Sequence, residues 1–140
     1  MASFNKFNSF VEALAEKKHD LGADTLNVLL TNTAPVATDS VKADLTEISA
    51  GNGYTAGGNT ASVTSSAQTS GTYKLVLGDP ATWTASGGSI GPFQYAVLYN
   101  DTAANDELIG WWDYGSAVTL ADGESFAVDF DPTTGVLTIA

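Results

Sequence analysis

The chain has no cysteine and no arginine, and among its 140 residues there is one histidine, His19. Without cysteine there is no disulfide framework, no thiolate nucleophile and no zinc–thiolate site. Without arginine, the planar fork that grips phosphates and guanine edges is missing. A single histidine leaves almost no material for a Ser-His-Asp triad, and no G-x-S-x-G elbow is present. The only bases are Lys6, Lys17, Lys18, Lys42 and Lys74, against sixteen carboxylates, for a net charge of −11. Residues 75–140 hold nine of those carboxylates and no base. Such a surface repels nucleic-acid phosphates, so no nucleic-acid partner is expected, and the acidity serves solubility or a basic partner. No apolar run reaches the ~18 residues of a membrane-spanning helix. Residues 1–18 lack the basic, apolar and small-residue layout of a secretory leader. The expectation is a soluble protein made in a cytoplasm, with no membrane partner.

What the chain does have is apolar mass. Hydrophobic residues make up 44% of it, with three Trp, five Tyr and six Phe, enough for a globular core despite the charge. No linker, composition break or repeat divides residues 1–140, so a single domain is expected. Phe7, Phe10, Val11 and Leu14 follow helical spacing, with Glu12, Glu16, Lys17 and Lys18 between them. The pattern predicts an amphipathic helix capped by Asn5 or Asn8 and ending between His19 and Gly22. His19 at that end would complement the helix dipole. Residues 1–22 thus read as a helical arm, packed on the protein's own core or on a neighbouring subunit.

From Leu26 onward the period changes to that of strands, short and β-branched or aromatic, bounded by Gly, Asn, Asp or Pro. Strands are expected near 25–31, 44–49, 60–66, 72–78, 81–85, 92–100, 107–114, 117–120 with 124–130, and 135–139. Turns are expected at Gly51-Asn52-Gly53, Gly57-Gly58, Gly87-Gly88, Asp122-Gly123 and Thr134-Gly135, where glycine and asparagine supply positive φ. Turns at this spacing point to an all-β antiparallel sandwich or barrel over residues 23–140. The run from Gln94 to Tyr99 is apolar nearly throughout and reads as a central strand buried on both faces.

Chemical constellations are few. Asp106-Glu107 and Asp129-Phe130-Asp131 are the nearest things to a carboxylate pair for glycoside cleavage. On a strand, Asp129 and Asp131 would share a face, which suits calcium better, and solvated edge residues best of all. Gly51-Asn52-Gly53 sits among strands and opens no helix, so it is no dinucleotide fingerprint. No catalytic residue, metal ligand or cofactor is assigned. In Trp111-Trp112-Asp113-Tyr114, a strand would turn Trp111 and Asp113 one way and Trp112 and Tyr114 the other. One pair can fill the core while the other stacks on a sugar or anchors a protein interface.

Three segments carry a family likeness. These are Phe4-Asn5-Lys6-Phe7 through Val11-Glu12-Ala13-Leu14-Ala15, Leu29-Leu30-Thr31-Asn32-Thr33-Ala34-Pro35, and Glu47-Ile48-Ser49-Ala50-Gly51-Asn52-Gly53-Tyr54-Thr55-Ala56-Gly57-Gly58. Together they resemble small virion proteins of tailed bacteriophages, above all the capsid-cementing, or head decoration, proteins of short-tailed phages. The resemblance implies a jelly-roll β-sandwich that forms a homodimer on the outer surface of an icosahedral head. It would bind the major capsid protein and brace the shell, and it would not be an enzyme. Interface candidates are Phe4, Phe7 and Phe10 on the arm, Asn52 and Tyr54 in the glycine-rich turn, and Trp111 and Trp112. The alternative from the residues alone is a carbohydrate-binding module of a phage tail or head fibre, with Trp112 and Tyr114 as its platform. A glycan hydrolase built on Asp and Glu is the more remote third.

Overall fold

The computed structural model describes residues 2–140. Its elements are β1 (Asn5–Lys6), α1 (Ser9–Ala15), β2 (Leu26–Thr31), β3 (Asn59–Ala61), β4 (Val63–Thr69), β5 (Thr72–Leu77), β6 (Trp83–Thr84), β7 (Ile90–Asn100), β8 (Leu108–Leu120), β9 (Ser125–Phe126) and β10 (Leu137–Ile139). The strands make antiparallel sheets in the orders β1-β8-β7-β2-β3, β10-β5-β4 and β6-β9. The molecule is thus mostly β with one short helix.

Alternation along β2 and β7 explains how the large sheet is held. Leu26, Val28, Leu30 and Leu98 point into a cluster that also takes Ile109 of β8, Leu75 and Leu77 of β5, and Leu137 of β10. Leu29, Val97 and Tyr99 point the other way, into a second cluster with Leu108, Phe7 and the half-buried Leu45 and Trp111. The sheet centre is therefore apolar on both sides, as the run before Asn100 indicated. Each fully buried Leu or Val in these rows contributes ~1.5–3 kcal/mol.

Several boundaries differ from the sequence expectation. The helix stops at Ala15, because Lys17 takes the left-handed conformation (φ 66°) and closes it. Lys18 N–H donates to Ala13 O (2.8 Å) and Lys17 N–H to Leu14 O (3.3 Å), a Schellman closure made without glycine. No strand forms over 44–49. The Asp44 carboxylate accepts from the Ser40 and Val41 N–H groups (2.9 and 3.2 Å) and bends the chain into a 3-10 turn at Lys42–Asp44. Only a single bridge, Thr31 to Glu47, remains there. The expected strands 107–114 and 117–120 are one strand, β8, while 124–130 shrinks to β9. The turn between β4 and β5 was not expected at all. Ser70 and Gly71 (φ 51° and 85°) form the tight, doubly left-handed kind that joins paired Thr69 and Thr72.

β3 and β4 are nearly one run, broken at Ser62, whose carbonyl accepts from Gly78 N–H (2.7 Å). There the chain passes from the edge of the five-stranded sheet to the edge of the three-stranded one.

Candidate functional site

The N-terminal residues form no free arm. β1 pairs with β8, Asn5 opposite Trp111, and Phe7 N–H continues the pairing to Ile109 O (3.2 Å). Phe7 and Phe10 are buried, at 0% and 3% exposure, and belong to the protein's own clusters. Tyr54 is equally buried, at 2%. These three interface candidates are therefore corrected to core residues, since a side chain enclosed by its own fold presents nothing to a partner. The remaining four reach the surface. Asn52 is exposed and left-handed (φ 56°), and its amide donates to Ser89 O (3.0 Å). Phe4 is half-buried against Trp112 (5.4 Å between ring centres), and Trp111 packs on Phe7 (4.5 Å). Trp111 and Trp112 thus lie on opposite faces of β8, as strand alternation requires. Gly110 makes the Phe4 seat possible, because a Cβ there would enter the Phe4 ring.

Tyr54 owes its burial to a gap in strand pairing. β2 pairs with β3 only from Leu26 to Val28, so Leu30 N–H instead finds the Tyr54 hydroxyl (3.1 Å). That hydroxyl donates to Glu47 Oε1 (2.6 Å), which also accepts from Gly57 N–H (2.6 Å). Lys42 stands 3.9 Å from Glu47 Oε2 and 5.5 Å from the centre of the Tyr99 ring. Burial, then the hydrogen bond to the Glu47 carboxylate, pushes the Tyr54 phenol up, and burial pushes Tyr99 up to about 12. Both phenols stay neutral through the physiological range and act as structural ties.

His19 is not a helix cap. Because the helix closes four residues earlier, its ring turns inward to 5% exposure beside Phe10. Asn100 Oδ1 accepts from Thr102 and Ala103 N–H (3.0 and 3.1 Å), which fixes the amide orientation. Asn100 Nδ2 then donates to Asp24 Oδ2 (2.7 Å) and to His19 Nδ1 (3.0 Å). His19 accepts at Nδ1 and carries its proton on Nε2, which has no partner among the described residues. Burial holds its pKa below the usual 6.5, against the opposing pull of Glu107 and Asp24. A histidine lowered in the folded state contributes stability that is complete above the unfolded value and lost as pH falls below it. Urea unfolding over a pH series should therefore show stability declining below 6.5. His19→Asn, which keeps an acceptor for Asn100, should flatten that decline; parallel curves for the two proteins would refute the assignment.

Asp129 and Asp131 lie in an unpaired segment, so the shared strand face expected of them does not form. Asp131 Oδ1 accepts from Thr133 and Thr134 N–H (2.7 and 3.1 Å), which holds its carboxyl below the ordinary range. Among the described residues no group of three or more metal-ligating side chains forms, and no helix is long and apolar enough to cross a membrane. The chain matches no family model, no curated protein and no solved structure.

Recesses also open on the surface of the described residues. One, of about 830 Å³, lies between the loop after α1 and the β4–β5 hairpin, with His19, Ser66 and Tyr73 on its walls. Another, of about 290 Å³, lies beside β7 and β8 under the 126–136 segment. Its floor is aromatic: Phe93, Trp112 and Phe130, with Phe4 and Phe126 at the sides. Sequence alternation had placed Trp112 and Tyr114 on one face. It could not find Phe126, paired opposite Trp83 in β9, or Phe130, in the unpaired segment that follows, because both reach the groove through contacts between segments distant in sequence.

Proposed function

We propose that the protein is a virion structural protein that decorates and cements the outside of an icosahedral phage head, as a jelly-roll-like β-sandwich that binds the major capsid protein and a second copy of itself. The observation that carries this reading is the open edge of β4. Thr64 to Thr69 are all exposed, and the strand holds no lysine, proline or charge of the kind that ordinarily guards an edge. On a molecule of net charge −11, an uncharged strand with free backbone groups is the place where two like copies approach without repulsion. Pairing of that edge about a twofold axis joins two sandwiches, and each then offers a contact to the shell, so that the second contact is gained as avidity. Val11 and Val36, exposed at 54% and 53% on segments tied by the Asn8 N–H to Ala37 O bond, are the apolar surface available to the capsid protein. The acidic exterior fits the outside of a DNA-filled head rather than its phosphate-lined interior. The resemblance of residues 4–15, 29–35 and 47–58 supports the address.

A protein that binds the assembled shell but not its separated subunits stabilises the shell by mass action. Heads carrying the protein should melt at a higher temperature and resist osmotic shock better than heads stripped of it, as read by calorimetry and DNA release. Ala67→Glu, a negative charge on the open edge that faces Lys74 within its own sheet, should lower occupancy on heads without weakening the isolated protein against unfolding. Equal melting of decorated and bare heads would sink the proposal.

A further inference from the structure

The residues lining the aromatic groove beside β8 include none from the β4 edge and neither Val11 nor Val36, and its chemistry is of another kind. We infer that it binds an uncharged saccharide of one or two pyranose rings. Tyr114, the most exposed large hydrophobic residue among those described, at 60%, stands at its mouth. An edge-on contact with Phe126 (5.6 Å, 73°) holds its ring in place, so stacking on the apolar face of a sugar costs little ordering.

Polar groups of one kind surround that ring. Gln94 Nε2 donates to Asp113 Oδ1 (2.9 Å), which also accepts from Gly115 N–H (2.7 Å). That tie fixes the amide of Gln94, a lining residue whose carbonyl remains an open acceptor among the described residues, while Asp113 itself lies outside the lining, on the other face of β8 from Trp112 and Tyr114. Asp129 adds an exposed carboxylate to the lining. A surplus of acceptors calls for a ligand rich in donors, and sugar hydroxyls supply them. No lysine lines the groove, and Lys74, on neighbouring β5, is engaged with Thr133 O (2.8 Å), so anionic sugars are repelled. A volume of about 290 Å³ falls at the lower limit of small-molecule pockets, ~300–1,000 Å³, which suits a ring or two rather than a length of peptide. The inference does not depend on where in a virion the protein sits.

The test is a titration of the full chain, followed by amide NMR and tryptophan fluorescence, with methyl glucoside, maltose, cellobiose, lactose and chitobiose, with glucuronate alongside. At least one neutral sugar should bind with millimolar affinity and shift amides of residues 93–96, 112–115 and 126–131, while glucuronate does not. Tyr114→Ala should weaken binding about five- to tenfold, the worth of one stacked ring, with the unfolding curve unchanged. Asp129→Asn should weaken it while relieving the exclusion of glucuronate. No response to any neutral sugar, shifts confined to other surfaces, or undiminished binding by Tyr114→Ala overturns the inference. A response only to phenylalanyl-arginine amide overturns it in favour of a basic, apolar peptide.

Discussion

Gly58→Ala should abolish soluble expression or remove upwards of ~4 kcal/mol of stability, in the tail that single substitutions reach only through a named structural cause. Two causes act together here. Gly58 has φ +75°, a region that costs an ordinary residue ~1–2 kcal/mol. A Cβ at this position would also meet the Val28 carbonyl group and Leu29 Cα, which are backbone atoms of a strand buried on both faces and cannot swing aside. Val28 is paired with Asn59, the next residue, so any relief must unzip β2 from β3. Gly71→Ala separates the causes. Its φ is +85°, but nothing lies within 4 Å of the added carbon, so only the conformational cost of ~1–2 kcal/mol applies. Urea midpoints of the two variants, or soluble yield where Gly58→Ala does not fold, give the comparison; equal effects would show that the close approach at Val28 carries no weight.

That contrast also marks what was legible in the chain. Gly57-Gly58 was readable as a turn, but the backbone lying against it was not, because contacts between distant segments leave no local pattern. The strands with strong alternation or continuous apolar runs, β2, β5 and β7, fall where periodicity put them. The misplaced elements are those decided by a single side chain. Asp44 turned an apolar-looking segment into a 3-10 turn, and Lys17 ended the helix where glycine was expected to do so. Ser-Gly is a weaker turn signal than Asn-Gly, which is why the β4–β5 hairpin went unseen.

The candidate surface was legible in the same uneven way. Alternation correctly divided Trp111 from Trp112, a property of any strand. It did not reveal that Tyr54 would be drawn inside by an unpaired Leu30 N–H, or that His19 would be held by Asn100 from the far end of β7. A helical stripe of Phe and Val reads the same whether it packs on a neighbour or on its own chain. The structure puts Phe7 and Phe10 on their own chain and leaves Val11 outside.

Phe7→Ala is the second large effect, and it separates these two uses of the N-terminal residues. The ring is fully enclosed among Leu29, Val97, Tyr99 and Leu108, with Trp111 at 4.5 Å, so truncation should cost about 3–5 kcal/mol through lost burial and the cavity left behind. Val11→Ala, on the exposed side of α1, should change stability by no more than ~0.5 kcal/mol. An intramolecular seat makes the Phe7 loss independent of protein concentration. An arm exchanged between two copies would give a loss that grows on dilution, because the contact would then belong to an association equilibrium. Thermal unfolding across a hundredfold range of concentration distinguishes them, with Trp111 emission as a local reporter. An unchanged melting temperature in Phe7→Ala would overturn the assignment of Phe7 to the core. If the loss is constant, the N-terminal residues must serve any partner through the sheet they complete and through Val11, since the buried phenylalanines are already committed to holding β8 against the rest of the fold.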